Sequence, residues 1–375
     1  MPEKNVTRGD IAVKPVMVIV GTRPEIVKMA PVVRALTKAA VPFTFVHCGQ
    51  HYDYNMSQQF IDDLELPKPD VSFKLRTASP GEQTARIMLH MDKLLKHTTP
   101  CIVLVEGDTN TVLAAALAAN KRGVRVGHVE AGLRSYDLRM PEEHNRRLTD
   151  HVSDLLFAPT EHANANLAKE SVWGRVFVTG NTVIDAVNQH LPIAERKSSI
   201  LNQIRFERFA LATAHRAENV DDLNVLKNFI AIMAESPLPV VYSMHPRTRK
   251  RLRQNGLLAK IEHDASVQVF PPLGYLDFLV LMRRCELILT DSGGIQEEAT
   301  APSIRKPVLV LRLSTERPEA VESGFAKVVG TDKDKALSAI NEALKKREKL
   351  PNKSPYGNGD AAEKIVKIIH NEVLG

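Results

Sequence analysis

Residues 286–299 read ELILTDSGGIQEEA. The apolar run Glu286-Leu287-Ile288-Leu289-Thr290 has the length of a buried strand. Asp291-Ser292-Gly293-Gly294 then turns the chain, and Ile295-Gln296-Glu297-Glu298-Ala299 reads as a helix start. A strand, a loop of small residues and a helix start make an anion site. Free N–H groups at the helix N-terminus point at the loop, and glycines let a phosphate approach the backbone. A carboxylate repels a diphosphate, so Glu298 suits hydroxyls instead, such as those of a ribose. The competing reading is that Gly293 and Gly294 only make a tight turn, a common use of Gly-Gly in α/β chains.

The same strand–loop–helix grammar recurs on both sides of this stretch. The β-branched run at 16–20 leads into Gly21-Thr22-Arg23-Pro24-Glu25, where Pro24 suits a first helical turn. Donors around Gly21 and Thr22 form a second anion cradle within reach of Arg23 and Lys28, although a solvated helix face also accounts for Lys28. Strand-like runs at 43–48, 101–105, 124–129, 155–158 and 175–178 continue the series, six or seven β–α repeats in all. Alternation at this spacing implies a parallel, doubly wound sheet. Right-handed crossovers put the strand-end loops on one edge, gathering Arg23, His51, Asp108, Glu130 and Glu142 where such sheets bind ligands.

A second series follows, with strands at 209–213, 240–243, 267–270, 286–290 and 307–311 and loops carrying His215, His245 and Arg317. The expected architecture is α/β: two doubly wound Rossmann-like domains facing a central cleft. The expected division is 1–190, then 191–358, with the C-terminal helix 359–375 returning to the first domain. Pro192 and the cluster Lys197-Ser198-Ser199 mark 191–207 as the linker.

Composition excludes several function classes. A net charge of +6 is mild, and the basic stretches 247–253 and 345–349 lack interleaved aromatics, so nucleic-acid binding is not expected. Three cysteines without CxxC spacing point to a reducing compartment rather than a disulfide framework. No run approaches a membrane span, and the polar N-terminus is not a secretion signal, so a cytoplasmic protein without membrane partners is expected. No His/Cys cluster has zinc spacing and no GxGxxG appears, so neither a metal nor any other cofactor is implied.

Nine short motifs occur in order: GTRPE (21–25), GQH (49–51), GDT (107–109), HVEAGLR (128–134), PEEHNR (141–146), TGNT (179–182), AHRAEN (214–219), DSGGIQEEA (291–299) and TERPEAV (315–321). Together they resemble the non-hydrolysing UDP-N-acetylglucosamine 2-epimerases, from about residue 16 to the end. The resemblance implies a glycosyltransferase-B-like fold and interconversion of UDP-N-acetylglucosamine and UDP-N-acetylmannosamine. It implies that the second domain holds UDP: Ser292, Gly293 and Gly294 on the phosphates, Glu298 on the ribose and Phe278 against the uracil. Arg23 and Arg317, with Lys28, would neutralise the phosphates. Asp108, Glu130, Glu142 and His215 match residues around the sugar. Gln50, His51 and His245 match a region that, in bacterial members, binds a second, activating UDP-N-acetylglucosamine. A homodimer is also implied. The chain departs from the pattern at Thr300 and Ala301, which resemble an insertion, and at Arg305, where a glycine is usual. Leu313 replaces a common acid and Ala217 a frequent arginine.

The chemistry explains why such residues are needed. The C2 proton of a sugar is not acidic, so the family eliminates UDP as that proton leaves. It then re-adds UDP to the glycal while C2 is protonated from the other face. This needs a firm grip on a departing diphosphate, an acid and a base on opposite faces, and exclusion of water. Asp108, Glu130 and Glu142 bring three acids near one sheet edge, and crowding lets one stay protonated. For Glu130, a structural pairing with Arg134 or Arg146 is the alternative. The open rivals are an epimerase of another UDP-sugar, such as a diacetamido uronic acid, a glycosyltransferase of the same fold, a hydrolysing epimerase and a catalytically silent sensor.

Overall fold

The computed structural model describes residues 14–49, 54–75, 79–346 and 350–374. Gln50 and His51 lie outside the described residues. The chain divides into two compact units, residues 1–179 with 362–375, and residues 180–361.

The first unit is built on a seven-stranded parallel sheet. Its strands are β1 (Val16–Val20), β2 (Phe43–His47), β3 (Val71–Ser72), β4 (Ile102–Glu106), β5 (Arg125–Val129), β6 (Leu155–Ala158) and β7 (Arg175–Val178). Their order is β3-β2-β1-β4-β5-β6-β7. β1 and β4 are buried at every position, as the apolar runs at 16–20 and 102–105 require of strands covered on both faces, and Glu106 at the end of β4 is buried with them. Val16 pairs with Phe43 on one side and Ile102 on the other, so β1 and β4 are neighbours although remote in sequence. Strand order reverses between them, and the C-terminal ends of β1 and β4 therefore flank a topological switch point.

The alanine-rich helix Asn110–Lys121 lies close against this point, with Ala114, Ala115, Ala116, Ala118 and Ala119 buried. Its approach leaves no room for a side chain on the β1 loop: a Cβ on Gly21 would sit 2.2 Å from Thr111 Oγ1. The C-terminal segment belongs to this unit, where Arg125 donates to the Glu372 carbonyl at 2.7 Å.

The second unit holds β8 (Ala210–Thr213), β9 (Val240–Ser243), β10 (Val267–Phe270), β11 (Leu287–Thr290), β12 (Val308–Val310) and β13 (Ala326–Val328). The order is β10-β9-β8-β11-β12-β13, all parallel, with its switch point between β8 and β11.

The sequence reading needs correction at two points. The stretch assigned to a linker carries regular structure. The helix Thr182–Lys197 and the 3-10 turn Ile200–Gln203 bury Leu191, Ala194 and Ile200 in the core of the second unit, beside Leu279 and Leu281. The sequence reading also missed β3 and β13. At two and three residues, they are too short for an alternation or an apolar run to register.

Arg305, at a position where a glycine is usual, has φ +49°. This left-handed conformation favours glycine. The Arg305 side chain donates to the Leu350 carbonyl at 2.6 Å.

Candidate active site

At the first switch point, the cradle read from Gly21 and Thr22 is already filled by the chain itself. Glu25, in the first turn of the helix Arg23–Lys38, accepts from the Gly21 N–H at 2.7 Å and from the Thr22 hydroxyl at 2.8 Å. Thr109, at the end of the β4 loop, donates to the same carboxyl at 2.8 Å. Those donors are therefore not offered to a ligand, and Glu25 ties the β1 loop to the β4 loop. Burial pushes the Glu25 carboxyl from its ordinary 4.5 up to about 7, against the pull of these donors. A proton held in the fold but lost from the unfolded chain makes stability fall with pH across that window. Urea denaturation should show the parent losing about 3 kcal/mol relative to Glu25→Gln as pH rises from 4.5 to 7. A constant difference between the two would remove the buried-acid description.

Lys28, one turn further along, does not project into solvent. Its ammonium lies 2.5 Å from Glu130 Oε2 and 3.2 Å from Glu106 Oε1, with its side chain 14% exposed. Glu130 follows β5 with φ +67°, a left-handed conformation uncommon for a residue with a long side chain. The structural alternative weighed for Glu130 does not occur. Arg134 pairs with Asp150 and Glu170, and Arg146 pairs with Asp108 and Glu143. Asp108 is further anchored where Asn145 Nδ2 donates to its carbonyl at 3.0 Å. Glu142 is exposed in the first turn of the helix Pro141–Val152, four residues before Arg146 and so on the same helix face. Arg23 is exposed, with its guanidinium 5.8 Å from the Phe60 ring centroid.

Beneath these groups is a network that the sequence did not reveal. His128, fully buried on β5, has Nδ1 2.7 Å from Asp150 Oδ1 and Nε2 2.8 Å from the Gly107 carbonyl. Asp150 also meets Arg134 at 2.8 Å and accepts from the Gly132 N–H at 3.3 Å. The ring thus braces the loop that carries Asp108 against the strand that ends in Glu130.

The second switch point has its own constellation. Asp291, the residue after β11, is fully buried and accepts from the backbone N–H groups of His215 and Arg216, each at 2.9 Å. His215 Nδ1 lies 3.1 Å from its other oxygen. Burial pushes this carboxyl up, but the contacts from His215 and Arg216 outweigh it and hold the group below its ordinary value. The His215 ring centroid is 5.6 Å from that of His245. Burial, then the neighbouring His215 and Arg247, lower the proton affinity of His245, whose Nδ1 accepts from the Arg247 N–H at 3.2 Å.

Ser292 caps the short helix Gly293–Glu298, and its N–H is donated to Thr290 Oγ1 at 3.0 Å. Gly294 is open, and a Cβ on Gly293 would lie 3.7 Å from the Arg317 guanidinium carbon. Arg317 therefore faces this turn. Its Nε is 2.5 Å from the buried Glu297, whose role the sequence reading had not separated from that of Glu298. Glu298 is half-buried one residue further on. Phe278, on the helix Tyr275–Arg284, packs partly buried against the core of this unit. Each unit thus carries a built polar site at its strand-order reversal: paired carboxyls in the first, a glycine turn with arginine and histidine in the second.

Residues 34–370 match the family UDP-N-acetylglucosamine 2-epimerase. The UDP-N-acetylglucosamine 2-epimerase of Methanocaldococcus jannaschii is 44% identical over 361 residues, 94% of this chain and 98% of that protein. The chain belongs to the UDP-N-acetylglucosamine 2-epimerase family. A crystal structure of the M. jannaschii enzyme in complex with UDP-GlcNAc and UDP superposes with a TM-score of 0.84, covering 95% of this chain and 99% of that one. The UDP-2,3-diacetamido-2,3-dideoxy-D-glucuronate 2-epimerase of Pseudomonas aeruginosa is 38% identical over 94% of this chain and 99% of that protein. The two-unit parallel α/β architecture is the one shared by such epimerases. Among the described residues, no group of three or more His, Cys, Asp and Glu could hold a metal ion, and no helix is long and apolar enough to cross a membrane.

Proposed function

We propose that this chain interconverts UDP-N-acetylglucosamine and UDP-N-acetylmannosamine by eliminating UDP to a glycal and adding it back. The observation that carries the reading is the Lys28–Glu130 pair beside the Arg146–Asp108 pair, two carboxyls held by cations at adjacent strand ends. Elimination asks for one group to take the C2 proton and another to return it on the opposite face. Two carboxyls with separate, fixed partners meet that demand, and Glu142 is a third acid on the same unit. The second unit serves UDP. Arg317 meets the phosphates at Ser292, Gly293 and Gly294, Glu298 takes the ribose hydroxyls and Phe278 lies against the uracil.

Lys28 has two carboxylate neighbours, which supports a role in holding Glu130 charged in addition to any phosphate contact. A second UDP-N-acetylglucosamine as activator would use Gln50, His51 and His245, and would give a sigmoidal dependence of rate on substrate. A homodimer in the cytoplasm is the expected setting, and free Cys48, Cys101 and Cys285 suit a reducing compartment.

Proton NMR of the protein with UDP-N-acetylglucosamine in deuterated water tests the reaction. The mannose-configured nucleotide carrying deuterium at C2 is the expected product. Free N-acetylmannosamine with UDP would mean hydrolysis. An unchanged spectrum, together with turnover of the diacetamido uronic acid nucleotide, would transfer the activity to that substrate. For the nucleotide site, Glu298→Ala should weaken UDP binding by about 1–3 kcal/mol, read by calorimetry as a roughly fivefold to 150-fold rise in Kd. An unchanged Kd would remove Glu298 from the ribose.

A further inference from the structure

Glu106 is the last residue of β4 and only 1% exposed, and none of the family motifs identified in the sequence includes it. Its Oε1 is buried and lies 3.2 Å from the Lys28 ammonium, without hydrogen-bond geometry. Lys28 is closer to Glu130, at 2.5 Å. The charged groups acting on Glu106 come from both elements packed beside β4: Lys28 and Glu25 on the helix after β1, and Glu130 after β5. Two carboxyls thus share one ammonium, and the charge of Glu25 acts on Glu106 as well. A buried carboxylate without donors is costly, and a proton on it is the cheaper solution. The nearest donor is already committed to Glu130. If Glu106 were ionised, it would compete for Lys28 and load a second negative charge beside Glu130.

We propose that Glu106 is a positioning residue for this reaction: neutral at neutral pH, it leaves the Lys28 ammonium to Glu130, and its ionisation sets the alkaline limit of activity. Burial, and then the negative charges of Glu130 and Glu25, push the Glu106 carboxyl well above its ordinary range despite Lys28, in the direction the geometry requires. In this scheme Glu130 stays anionic and hence the proton-accepting member of the pair of acids, while Glu106 exchanges nothing with the sugar. The inference rests on the epimerase reading above.

The test compares the parent with Glu106→Gln, an isostere that cannot ionise, by following kcat and KM from about pH 6 to about pH 10. Glu106→Gln should keep kcat within about threefold at neutral pH, with KM unchanged, and should move the alkaline half-point of kcat upward by about one pH unit or more. Superimposable profiles in an active parent overturn the proposal. So does a uniform loss of about tenfold or more at every pH, because that result requires the charged form. If the variant does not fold, infrared spectra of the parent across the same range decide the matter. The expected result is a protonated-carboxyl band that survives above about pH 8, by which Glu25 has given up most of its proton, and fades together with kcat. Loss of that band by about pH 8 overturns the assignment. A parent inactive on every UDP-sugar overturns the epimerase reading and this inference together, whereas an active parent with an unmoved profile overturns this one alone.

Discussion

Asp108→Asn is expected to lower kcat by about 10²- to 10⁴-fold, or roughly 3–5 kcal/mol of transition-state stabilisation, while leaving the Kd for UDP unchanged. The substitution keeps the size of the side chain and removes its charge and proton-transfer capacity. Its backbone carbonyl still accepts from Asn145 Nδ2, so the loop after β4 keeps its anchor. Arg146 loses one partner but keeps Glu143 at 3.2 Å, and Glu143 stays fixed by the Ser135 N–H at 2.9 Å. The fold should therefore survive, with the loss confined to the chemical step. Ser292, Gly293, Gly294, Glu298 and Phe278, proposed to hold UDP, are carried by the second unit, which is why binding and turnover should separate. Stopped-assay NMR for kcat and calorimetry for UDP give the two readings. Full activity in Asp108→Asn would remove Asp108 from the chemistry. A matching loss of UDP affinity would make it a binding residue.

Asp150→Ala is expected to be the most damaging single change to the first unit, costing about 3–5 kcal/mol. Asp150 is fully buried and serves three donors at once: the His128 ring, the Arg134 guanidinium and the Gly132 N–H. Alanine removes the acceptor from all three in a site that water does not reach. Arg134 keeps Glu170, whose carboxyl that guanidinium holds down at about 2, so part of its charge remains compensated. His128 does not have that reserve. Its other nitrogen faces the Gly107 carbonyl, and a ring released from Asp150 no longer braces the loop carrying Asp108. The melting midpoint should fall by roughly 10 °C, and kcat should fall even in the fraction that stays folded. Asp150→Asn, which preserves an acceptor oxygen, should recover about half of the lost stability. Scanning calorimetry on the two variants checks this. A midpoint for Asp150→Ala within about 2 °C of the parent would show that the network carries no stability.

The first expectation concerns a residue at a strand end and the second one inside the helix Pro141–Val152, and the sequence was informative about them to different degrees. Asp108 and Glu130 were legible because each lies in the loop after a run of strand length and falls within a recognisable motif. Glu25 and Glu106 were present in the same short stretches and passed unnoticed. Nothing local separates a carboxyl that faces solvent from one that faces a neighbouring loop. Glu25 even stands where an acid is an ordinary choice for a helix start, and only its bonds to Gly21, Thr22 and Thr109 reveal that it closes the cradle. Lys28 illustrates the reverse case. It occupies a position that reads as a solvated helix face, yet it meets two carboxyls contributed by β4 and by the residue after β5. Glu297 and Glu298 are adjacent and chemically alike, and the helical turn alone buries one against Arg317 while leaving the other half-exposed.

By itself, the sequence determined the alternation of strands and helices, the two parallel sheets and membership of the epimerase family. Those properties follow from apolar runs of strand length, turn residues and an ordered set of loop motifs, all of which are local along the chain. Tertiary structure alone decided which acids are buried and which cation each one meets. That outcome depends on strand order, which sets β4 rather than β3 beside β1 and so brings Glu106, Thr109 and Glu25 together from positions about eighty residues apart. The proton affinity of a carboxyl depends on those neighbours and on its exclusion from water, and neither can be read along a single strand.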